Sequence, residues 1–327
     1  MLKVTNMSNI LAKSNKLHSL KQNYLTFRIK HLVMKYLKLL ALVVLFFGCK
    51  NEKNKFEVDN VYIAEIDSFF KSKMKERQGD YLQLIALHKL DSGNNSLGKN
   101  AINNLTLDIK GLPETIGNIL MKDNSISFIA DKNAIITTNK DSIITNTTLV
   151  LNEYGSSQKL YCDRLNWQII TRSDQQYLRV WDTMNPKIKS FKGFERFLLN
   201  SNYILEGNFT YYEQEKSEVV KAKVDGQRKV SFIGKATFEF QGKSFSLEVG
   251  SNGFTMVGDS TNGDSTYGGG RYFYLDLPKE NGLVKIDFNK LYNPPCAFSE
   301  FTTCLYPPRQ NQLPFTINAG EKIILKQ

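Results

Sequence analysis

The sequence is poor in histidine, cysteine and long apolar runs, and these shortages exclude several classes of protein. Two of its three histidines lie within residues 1–48, which leaves His88 alone in the rest of the chain. A Ser-His-Asp triad, or a zinc centre of His and Cys ligands, would have to be built on that one side chain. No Gly-x-Ser-x-Gly nucleophile turn is present either. We therefore predict a structural His88, no metal site and no cofactor.

The excess of positive charge is confined to the N-terminus. The formal net charge is +11, from 43 Lys and Arg against 32 Asp and Glu. Residues 1–48 hold eight of these bases and no acid, so the remainder has 35 bases against 32 acids. A nearly balanced chain lacks the basic surface that a nucleic acid would attract. We therefore predict no nucleic-acid partner.

Residues 1–48 have the layout of a leader, of which 34–48 would be the signal peptide itself. A short basic segment, 34–38, precedes nine apolar residues, Leu39–Phe47. As a helix that run spans about 14 Å, too short for a hydrocarbon core of roughly 30 Å. The junction Gly48-Cys49 resembles the bacterial lipobox, which implies that Cys49 is acylated and becomes the new N-terminus.

This reading predicts a lipoprotein of the cell envelope. The polar residues 49–56 would form the tether of the lipid anchor. Lys50 rather than Asp follows the cysteine, so we expect the outer membrane rather than retention at the inner one. The alternative is that the apolar run is a buried helix of a cytoplasmic protein.

Residues 57–200 are predicted to form a helix and a β-sandwich. Apolar side chains first recur at helical spacing, at Tyr62, Ile63, Ile66, Phe69, Phe70 and Met74. We expect this helix to end near Gly79. From Tyr81 the period changes to two, and short apolar segments alternate with turn residues at the spacing of a sandwich.

The opening of this region resembles that of a forkhead-associated sandwich. The resemblance rests on Gly93–Lys99 followed by Asn104–Leu107. Forkhead-associated domains bind phosphothreonine through an Arg after the Gly and through a later Ser-x-x-His, and this chain has neither. The resemblance therefore implies a shape but not phosphopeptide binding.

Residues 201–327 are predicted to form a second, smaller β domain, either a barrel or a sheet. Val230–Phe240 and Phe245–Val249 alternate around Gln241–Lys243, which indicates a hairpin. Two further strands, Arg271–Leu277 and Leu283–Phe288, follow with a short connection between them, so a hairpin could bring Arg271 and Asp287 together. The predicted fold class is therefore mainly β.

The stretch from Phe254 to Lys322 concentrates Gly, Pro, Asn and Asp beside aromatic residues. It reads GDSTNGDSTYGGGRY, then IDFNKLYNPPCAF, then CLYPPRQNQLP and finally AGEK. This run resembles the signature of the bacterial and archaeal domain-of-unknown-function family 1684. The family has no established activity, so the resemblance implies an architecture and a candidate site rather than a reaction.

The polar residues that match the family pattern form the candidate binding site. They are Asp259, Thr261, Thr266, Tyr267, Arg271, Tyr272, Asp287, Asn289, Asn293, Asn311 and Glu321. In one interpretation they form a cleft, in which Arg271 holds an anionic group. In the other they form a structural network, in which a carboxylate, Asp287 or Glu321, holds Arg271. The two interpretations differ in whether these carboxylates face solvent.

Cys296 and Cys304 lie eight residues apart in the same stretch. In an oxidising compartment the simplest expectation is a disulfide. The alternative is a reactive or metal-binding thiol pair. Cys162 would then remain as a buried, inert thiol.

Two functions remain open from the sequence. The first is a non-catalytic binding or scaffolding module with a polar cleft in its C-terminal domain, for a small molecule or an envelope component. The second is an envelope hydrolase that uses Asp259, Asp287 or Glu321 as acid and base. The sequence does not decide whether the protein is an enzyme.

Overall fold

The computed structural model describes residues 56–123, 125–138, 142–224 and 226–323. The predicted leader, Cys49 and nearly all of the tether lie outside these residues. Within the described ranges, no helix combines the length and the apolar character that a bilayer crossing requires.

Helix α1 (Asn60–Gly79) begins the regular structure. Asp59 caps it, because its carboxylate accepts a hydrogen bond from the Tyr62 amide at 2.8 Å. That bond satisfies one of the N–H groups that every helix start leaves unpaired. The helix ends at Gly79, as the sequence predicts.

The buried face of α1 packs on the C-terminal part of the chain. Tyr62 and Ile66 share a core with Ile204, and Phe56 packs against the same cluster. The predicted boundary between residues 200 and 201 stays a prediction. The contacts show only that the helix is held by residues far along the chain.

A 3-10 turn (Tyr81–Gln83) connects α1 to a series of short strands. These are β1 (Leu84–Lys89), β2 (Gly93–Gly98), β3 (Leu105–Thr106), β4 (Gly117–Lys122), β5 (Ser125–Ala130), β6 (Ile136–Thr137), β7 (Ile143–Ile144), β8 (Asn146–Thr148), β9 (Leu160–Cys162), β10 (Leu165–Arg172) and β11 (Gln175–Asp182).

These strands form the predicted sandwich. One sheet has the order β1-β11-β10-β9-β6-β7 and the other β3-β2-β4-β5-β8. Apolar side chains from both sheets meet in one core. At its centre Trp167 of β10 is fully buried, and its ring centroid lies 5.6 Å from that of Phe128 on β5. The likeness to a forkhead-associated domain stays a prediction.

The remaining elements follow Asp182. They are α2 (Lys187–Ser190), β12 (Ile204–Ala222), β13 (Gly226–Phe240), β14 (Lys243–Val249), β15 (Phe254–Val257), β16 (Arg271–Tyr274) and β17 (Gly282–Asp287), with 3-10 turns at Ser201–Tyr203, Ser251–Gly253, Phe288–Lys290, Pro295–Ala297 and Arg309–Asn311.

Strands β14, β13, β12 and β17 form a sheet in that order, curled into a half-barrel. The predicted hairpin is confirmed in β13 and β14, where Phe238 pairs with Phe245. Gln241 and Gly242 at its tip have φ of 51° and 73°, and positive φ at both central residues is typical of the type I′ turn. Phe238 also packs edge-on against Phe288 in a core separate from that of the sandwich.

The pairing of the last two strands differs from the expectation. β16 pairs with β15, and β17 pairs with β12, so Arg271–Leu277 and Leu283–Phe288 are not adjacent strands. The Leu275 amide donates to the Gly253 carbonyl at 2.9 Å, which keeps the chain alongside β15. Pro278, which has no N–H to donate, then follows. The fold class is nevertheless mainly β, as predicted.

Candidate functional site

Arg271, the centre of the predicted site, is sealed inside the C-terminal region. Its side chain has no exposure to solvent. One guanidinium nitrogen, Nη2, donates to the Asp259 carboxylate and to the Ile317 carbonyl, both at 2.9 Å. The other, Nη1, donates to the carbonyls of Ala319 and, at 3.2 Å, Glu321. Burial lowers the pKa of Arg271, and the Asp259 charge opposes that shift.

The carboxylate that holds Arg271 is thus Asp259, and the prediction of Asp287 or Glu321 is wrong. The Asp287 alternative required β16 and β17 to be neighbours, which they are not. Asp259 lies directly after β15, the true partner of β16, and so reaches Arg271. Glu321 contacts Arg271 through its main-chain carbonyl only.

The side chains of the loop that follows Asp259 hydrogen-bond to one another and to Asp259. One Asp259 carboxylate oxygen, Oδ1, accepts from the Thr261 amide at 2.9 Å and from its hydroxyl at 2.5 Å. The Thr261 and Thr266 hydroxyls bond each other at 2.7 Å. Such local side-chain bonds order a turn that has few apolar contacts.

Glu321 belongs to a second buried pair, which attaches α1 to the end of the described chain. Its carboxylate accepts from both terminal nitrogens of Arg77, at 2.7 and 2.8 Å, and from the Asn293 amide at 2.7 Å. The Arg77 guanidinium also lies 4.4 Å from the ring centroid of Phe194. This bidentate geometry is the strongest form of an arginine–carboxylate pair.

Asp287 forms a third cluster. Its two oxygens accept from the Tyr62 hydroxyl at 2.8 and 2.9 Å, and Asn289 donates to that same hydroxyl at 3.0 Å. Burial raises the pKa of Asp287, and the Tyr62 hydrogen bond opposes the shift. Elsewhere Asn311 joins β14 to β15, because its amide donates to the carbonyls of Glu248 and Met256.

The predicted site residues are therefore buried and bonded to the surrounding fold, apart from Tyr267. The Tyr267 side chain is half-buried, and its hydroxyl donates to the Cys296 carbonyl at 3.3 Å. Asp259, Asp287 and Glu321 lie in three different clusters rather than one open pocket. No described group of His, Cys, Asp and Glu has the arrangement of a metal site.

A cleft that the sequence analysis did not identify lies beside this network. Its cavity has a volume of about 290 Å³ and is lined by the last turns of α1, by β10, β11 and β13, by β16 and by residues 292–305. Two of the predicted site residues, Tyr272 and Asn293, line it as well. The other lining side chains are mainly aromatic or basic.

Three arginines from different strands face this cleft: Arg172 on β10, Arg179 on β11 and Arg228 on β13. The Arg172 Nε donates to the Thr303 hydroxyl at 2.9 Å, and Arg228 donates to the Thr303 carbonyl at 3.4 Å. Thr303 thereby fixes two of the three positive charges on the same side of the cavity.

Arg179 differs from the other two. Its Nε is buried and has no hydrogen-bond partner in the described structure. The Trp181 ring lies 6.0 Å from its guanidinium carbon. Burial lowers the pKa of Arg179 to about 10, and Arg172 acts in the same direction while Asp80 opposes it. The cation is thus partly desolvated beside like charges.

Tyrosines form another part of the cleft wall. The rings of Tyr274 and Tyr292 stack with centroids 6.5 Å apart, and the Lys73 ammonium lies 4.4 Å from the Tyr292 ring. Glu76 is the one carboxylate among the residues described as lining the cavity, and it bonds Lys73 at 2.8 Å. The cleft is therefore aromatic and positively charged.

The loop that closes the cleft contains the predicted disulfide pair. Cys296 and Cys304 form a disulfide in the structure, with Cα atoms 5.9 Å apart. The loop between them places Phe298, Thr302 and Thr303 on the cavity wall. Cys162 is a buried free thiol, and burial raises its pKa. His88 is partly buried in β1, its pKa lowered by burial, and is not among the cleft residues.

The comparison with protein families matches the C-terminal part of this chain. Residues 189–322 match the family described as a protein of unknown function (DUF1684). A solution NMR structure of an uncharacterized protein of Haloarcula marismortui is 27% identical over 43% of this chain and 82% of that chain, with a TM-score of 0.36. Among curated proteins, no sequence matches this chain significantly. The family resemblance read from the sequence is thus confirmed as a match of residues 189–322 to the DUF1684 family.

Proposed function

We propose that this protein is a non-catalytic binding module of the cell envelope and that it holds an anionic small molecule in the cleft lined by Arg172, Arg179 and Arg228. The observation that carries the proposal is the state of Arg179. Its Nε is buried without a hydrogen-bond partner, none of the described ion pairs includes it, and Arg172 and Arg228 line the same cavity.

The energetics of buried charge support an anion as the ligand. A buried guanidinium nitrogen without a hydrogen bond is costly, and neighbouring like charges add to the cost of a desolvated cation. The Nε of Arg271 is also unpartnered, but Arg271 and Arg77 each have a carboxylate within 3 Å that offsets the charge. No acid is within ion-pair distance of Arg179 among the described contacts, so a bound anion would take that role.

The carboxylates support binding over the hydrolase alternative. A general acid and a general base must share one pocket that a substrate can reach. Asp259, Asp287 and Glu321 are instead buried in separate clusters, each already accepting strong hydrogen bonds. Glu76, at the cleft, has no second carboxylate beside it among the lining residues.

The location in the envelope is proposed from the N-terminal sequence. The basic segment, the short apolar run and the Gly48-Cys49 junction support a lipid anchor at Cys49, and Lys50 supports the outer membrane. In this proposal the partners are the membrane, through the anchor, and the small molecule in the cleft. The cleft is then presented to solvent within the envelope by the tether, 49–56.

Anion binding by the purified protein tests the proposal. Phosphate, sulfate and citrate are added at constant ionic strength, and thermal unfolding is followed. We expect at least one anion to raise the unfolding temperature of the wild type and of Arg309→Gln, an exposed arginine outside the cleft. Arg179→Gln should lose that rise, because it removes the unpartnered cation. An equal rise in all three proteins would place the binding elsewhere and refute the cleft.

A further inference from the structure

The charges around the cleft constrain what kind of anion it can hold. Arg172, Arg179 and Arg228 face the cavity, whereas the carboxylate of Glu76 is already bonded to Lys73. Arg77 lines the cavity too, but Glu321 neutralises it. Arg172 and Arg228 already donate to Thr303, so a ligand would add to their hydrogen bonds rather than supply all of them. A dianion with several oxygens offers more acceptors to guanidinium groups that approach from different strands.

The position of the arginines favours a compact anionic group with oxygens on several sides. Thr303 holds Arg172 and Arg228 from the loop side of the cavity. Arg179 comes from the neighbouring strand β11, and the charges of both other arginines act on it. A planar carboxylate accepts well from one guanidinium, in the fork geometry. A tetrahedral phosphoryl group presents three oxygens in different directions.

The aromatic wall and the volume constrain the rest of the ligand. Tyr274 and Tyr292 are stacked beside the arginines, and Tyr274 is 47% exposed, which leaves much of its surface open to contact. Tyrosine rings suit the flat or apolar face of another ring. The volume, about 290 Å³, lies at the lower end of the range of small-molecule pockets, about 300–1,000 Å³. One ring therefore fits better than several.

We infer that the cleft binds a phosphate monoester carried on a single ring, with the dianionic phosphoryl group on Arg172, Arg179 and Arg228 and the ring against Tyr274 and Tyr292. This inference rests on the proposed function and adds the chemical class of the ligand. The same chemistry covers a sugar phosphate and an aryl phosphate, and the probes used below keep one ring and vary the anionic group.

The ionisation of the phosphoryl group gives the sharpest test. A phosphate monoester loses its second proton with a pKa of about 6, so its charge doubles between about pH 5 and about pH 7.5. A sulfate ester and a carboxylate keep one charge across that interval. Arginine keeps its proton there as well, Arg179 included, because its pKa is lowered only to about 10.

The experiment is isothermal titration of the purified full chain with probes that share one ring. 4-Nitrophenyl phosphate, 4-nitrophenyl sulfate and 4-nitrobenzoate differ only in the anionic group. We expect the phosphate to bind most tightly, with an affinity that rises about tenfold between about pH 5 and about pH 7.5 as the dianion forms. The other two should bind more weakly and without that rise.

Two variants test whether the phosphoryl group binds at the arginines and the ring at the tyrosines. Arg179→Gln should weaken the binding of 4-nitrophenyl phosphate at least tenfold and abolish the rise of affinity with pH. Arg309→Gln should keep the wild-type affinity and its rise with pH. Tyr274→Ala, at a half-exposed ring, should weaken 4-nitrophenyl phosphate but leave inorganic phosphate unchanged. Equal loss of both probes in Tyr274→Ala would overturn the placement of the ring.

The outcomes separate this inference from the proposed function. Equal, pH-independent binding of the three probes would overturn the phosphate assignment and leave anion binding standing. If none of the three probes binds and no inorganic anion binds either, both this inference and the proposed function are overturned. Release of nitrophenolate from the phosphate ester, lost in Arg179→Gln, would overturn the non-catalytic proposal and keep the ligand class.

Discussion

At the scale of single residues, Arg271 and Arg179 show how a buried arginine of the fold differs from one available to a ligand. Arg271 donates to one carboxylate and three carbonyls. The Nε of each arginine is buried without a partner, but Arg179 faces a cavity and is in none of the described ion pairs. Both cations are desolvated, but only the first is compensated from within the protein. The surroundings of each guanidinium, rather than its burial, separate the two roles.

Removing Arg271 should therefore destabilise the fold strongly. Arg271→Met leaves the Asp259 carboxylate buried without its cation, which costs about 3–5 kcal/mol in comparable pairs. Urea denaturation measures this loss, and Arg309→Met, on the surface, should stay within about 0.5 kcal/mol of the wild type. A loss in Arg271→Met below about 1 kcal/mol, the range of exposed pairs, would show that Arg271 is not sealed in solution.

Asp287 should give the stability a pH dependence of opposite sign to that of a paired carboxylate. Burial raises its pKa above the ordinary value of 3.8. The folded state therefore keeps the proton to higher pH than the unfolded state, and stability falls as pH rises between the two pKa values. Above the pKa of Asp287 in the folded state, the ionised carboxylate lowers the free energy of unfolding by a constant amount.

The variant Asp287→Asn isolates this contribution. It should gain stability relative to the wild type as pH rises from below 3.8 through the raised pKa, and the difference should then become constant. Urea denaturation across that interval measures the difference, in which the other carboxylates cancel. A difference that moves the other way would mean that the Tyr62 hydrogen bond outweighs desolvation and lowers the pKa of Asp287.

At the scale of elements, the disulfide loop has the largest consequence for the cleft. The bridge between Cys296 and Cys304 holds the residues whose Thr303 positions Arg172 and Arg228. In the chain-entropy model, closing so short a loop contributes roughly 2–3 kcal/mol. The loop is thus a wall of the cleft that depends on a covalent bond.

Thiol counting and anion binding test that loop. Alkylation of the unfolded, unreduced protein should label one thiol, Cys162, because Cys49 is proposed to be acylated. Three labelled thiols would show that the bridge does not form. The bridge-breaking variant Cys304→Ser should weaken anion binding, whereas Cys162→Ser, remote from the cleft lining, should not. Unchanged binding in Cys304→Ser would show that the loop keeps its position without the bond.

The sequence predicts these elements better than it predicts their neighbours. Helical spacing gives the end of α1, and alternation around Gln241-Gly242 gives the β13–β14 hairpin, because both signals are local. The partners of β16 and β17 depend on which distant strands lie beside them, and that choice leaves no local pattern. The wrong pairing then produced the wrong carboxylate for Arg271.

The cleft is harder still to find in the sequence. Arg172, Arg179 and Arg228 lie on three strands. Arg172 and Arg228 have polar neighbours. Arg179 alternates with the buried Leu178 and Val180, so a solvent-facing position would also explain each arginine. They converge only when the sandwich, α1 and the curled sheet come together. The signature residues, by contrast, form a dense local pattern that points to a network. Most of the candidate site residues in that pattern lie beside the cleft, and only Tyr272 and Asn293 of them line it.

At the scale of the whole molecule, the cleft draws on regions that the family match separates. Arg228 and the tyrosines belong to residues 189–322, whereas Arg172, Arg179 and Lys73 precede them. The family region alone thus supplies the stacked tyrosines, the disulfide loop and one of the three arginines on the strands. An activity inferred for that region by itself would miss the part of the cleft that carries most of the charge.

The charge distribution of the whole chain leads to the prediction on anchoring. Eight bases and no acid lie in residues 1–48, so cleavage before Cys49 would leave a nearly neutral protein held by lipid rather than by charge. A single acyl chain gives only marginal membrane binding, so a stable anchor requires the diacylation that the lipobox-like junction implies.

Labelled palmitate should enter the wild type in cells and be absent from Cys49→Ala, which should accumulate with its leader intact. Cys162→Ala is the matched control, since it removes a cysteine that is buried in the sandwich, and it should label normally. Membrane fractionation should place the labelled protein with the outer membrane, because Lys50 gives no signal for inner-membrane retention. Equal labelling of Cys49→Ala and wild type would remove the anchor, and the apolar run would then have to be explained as part of the fold.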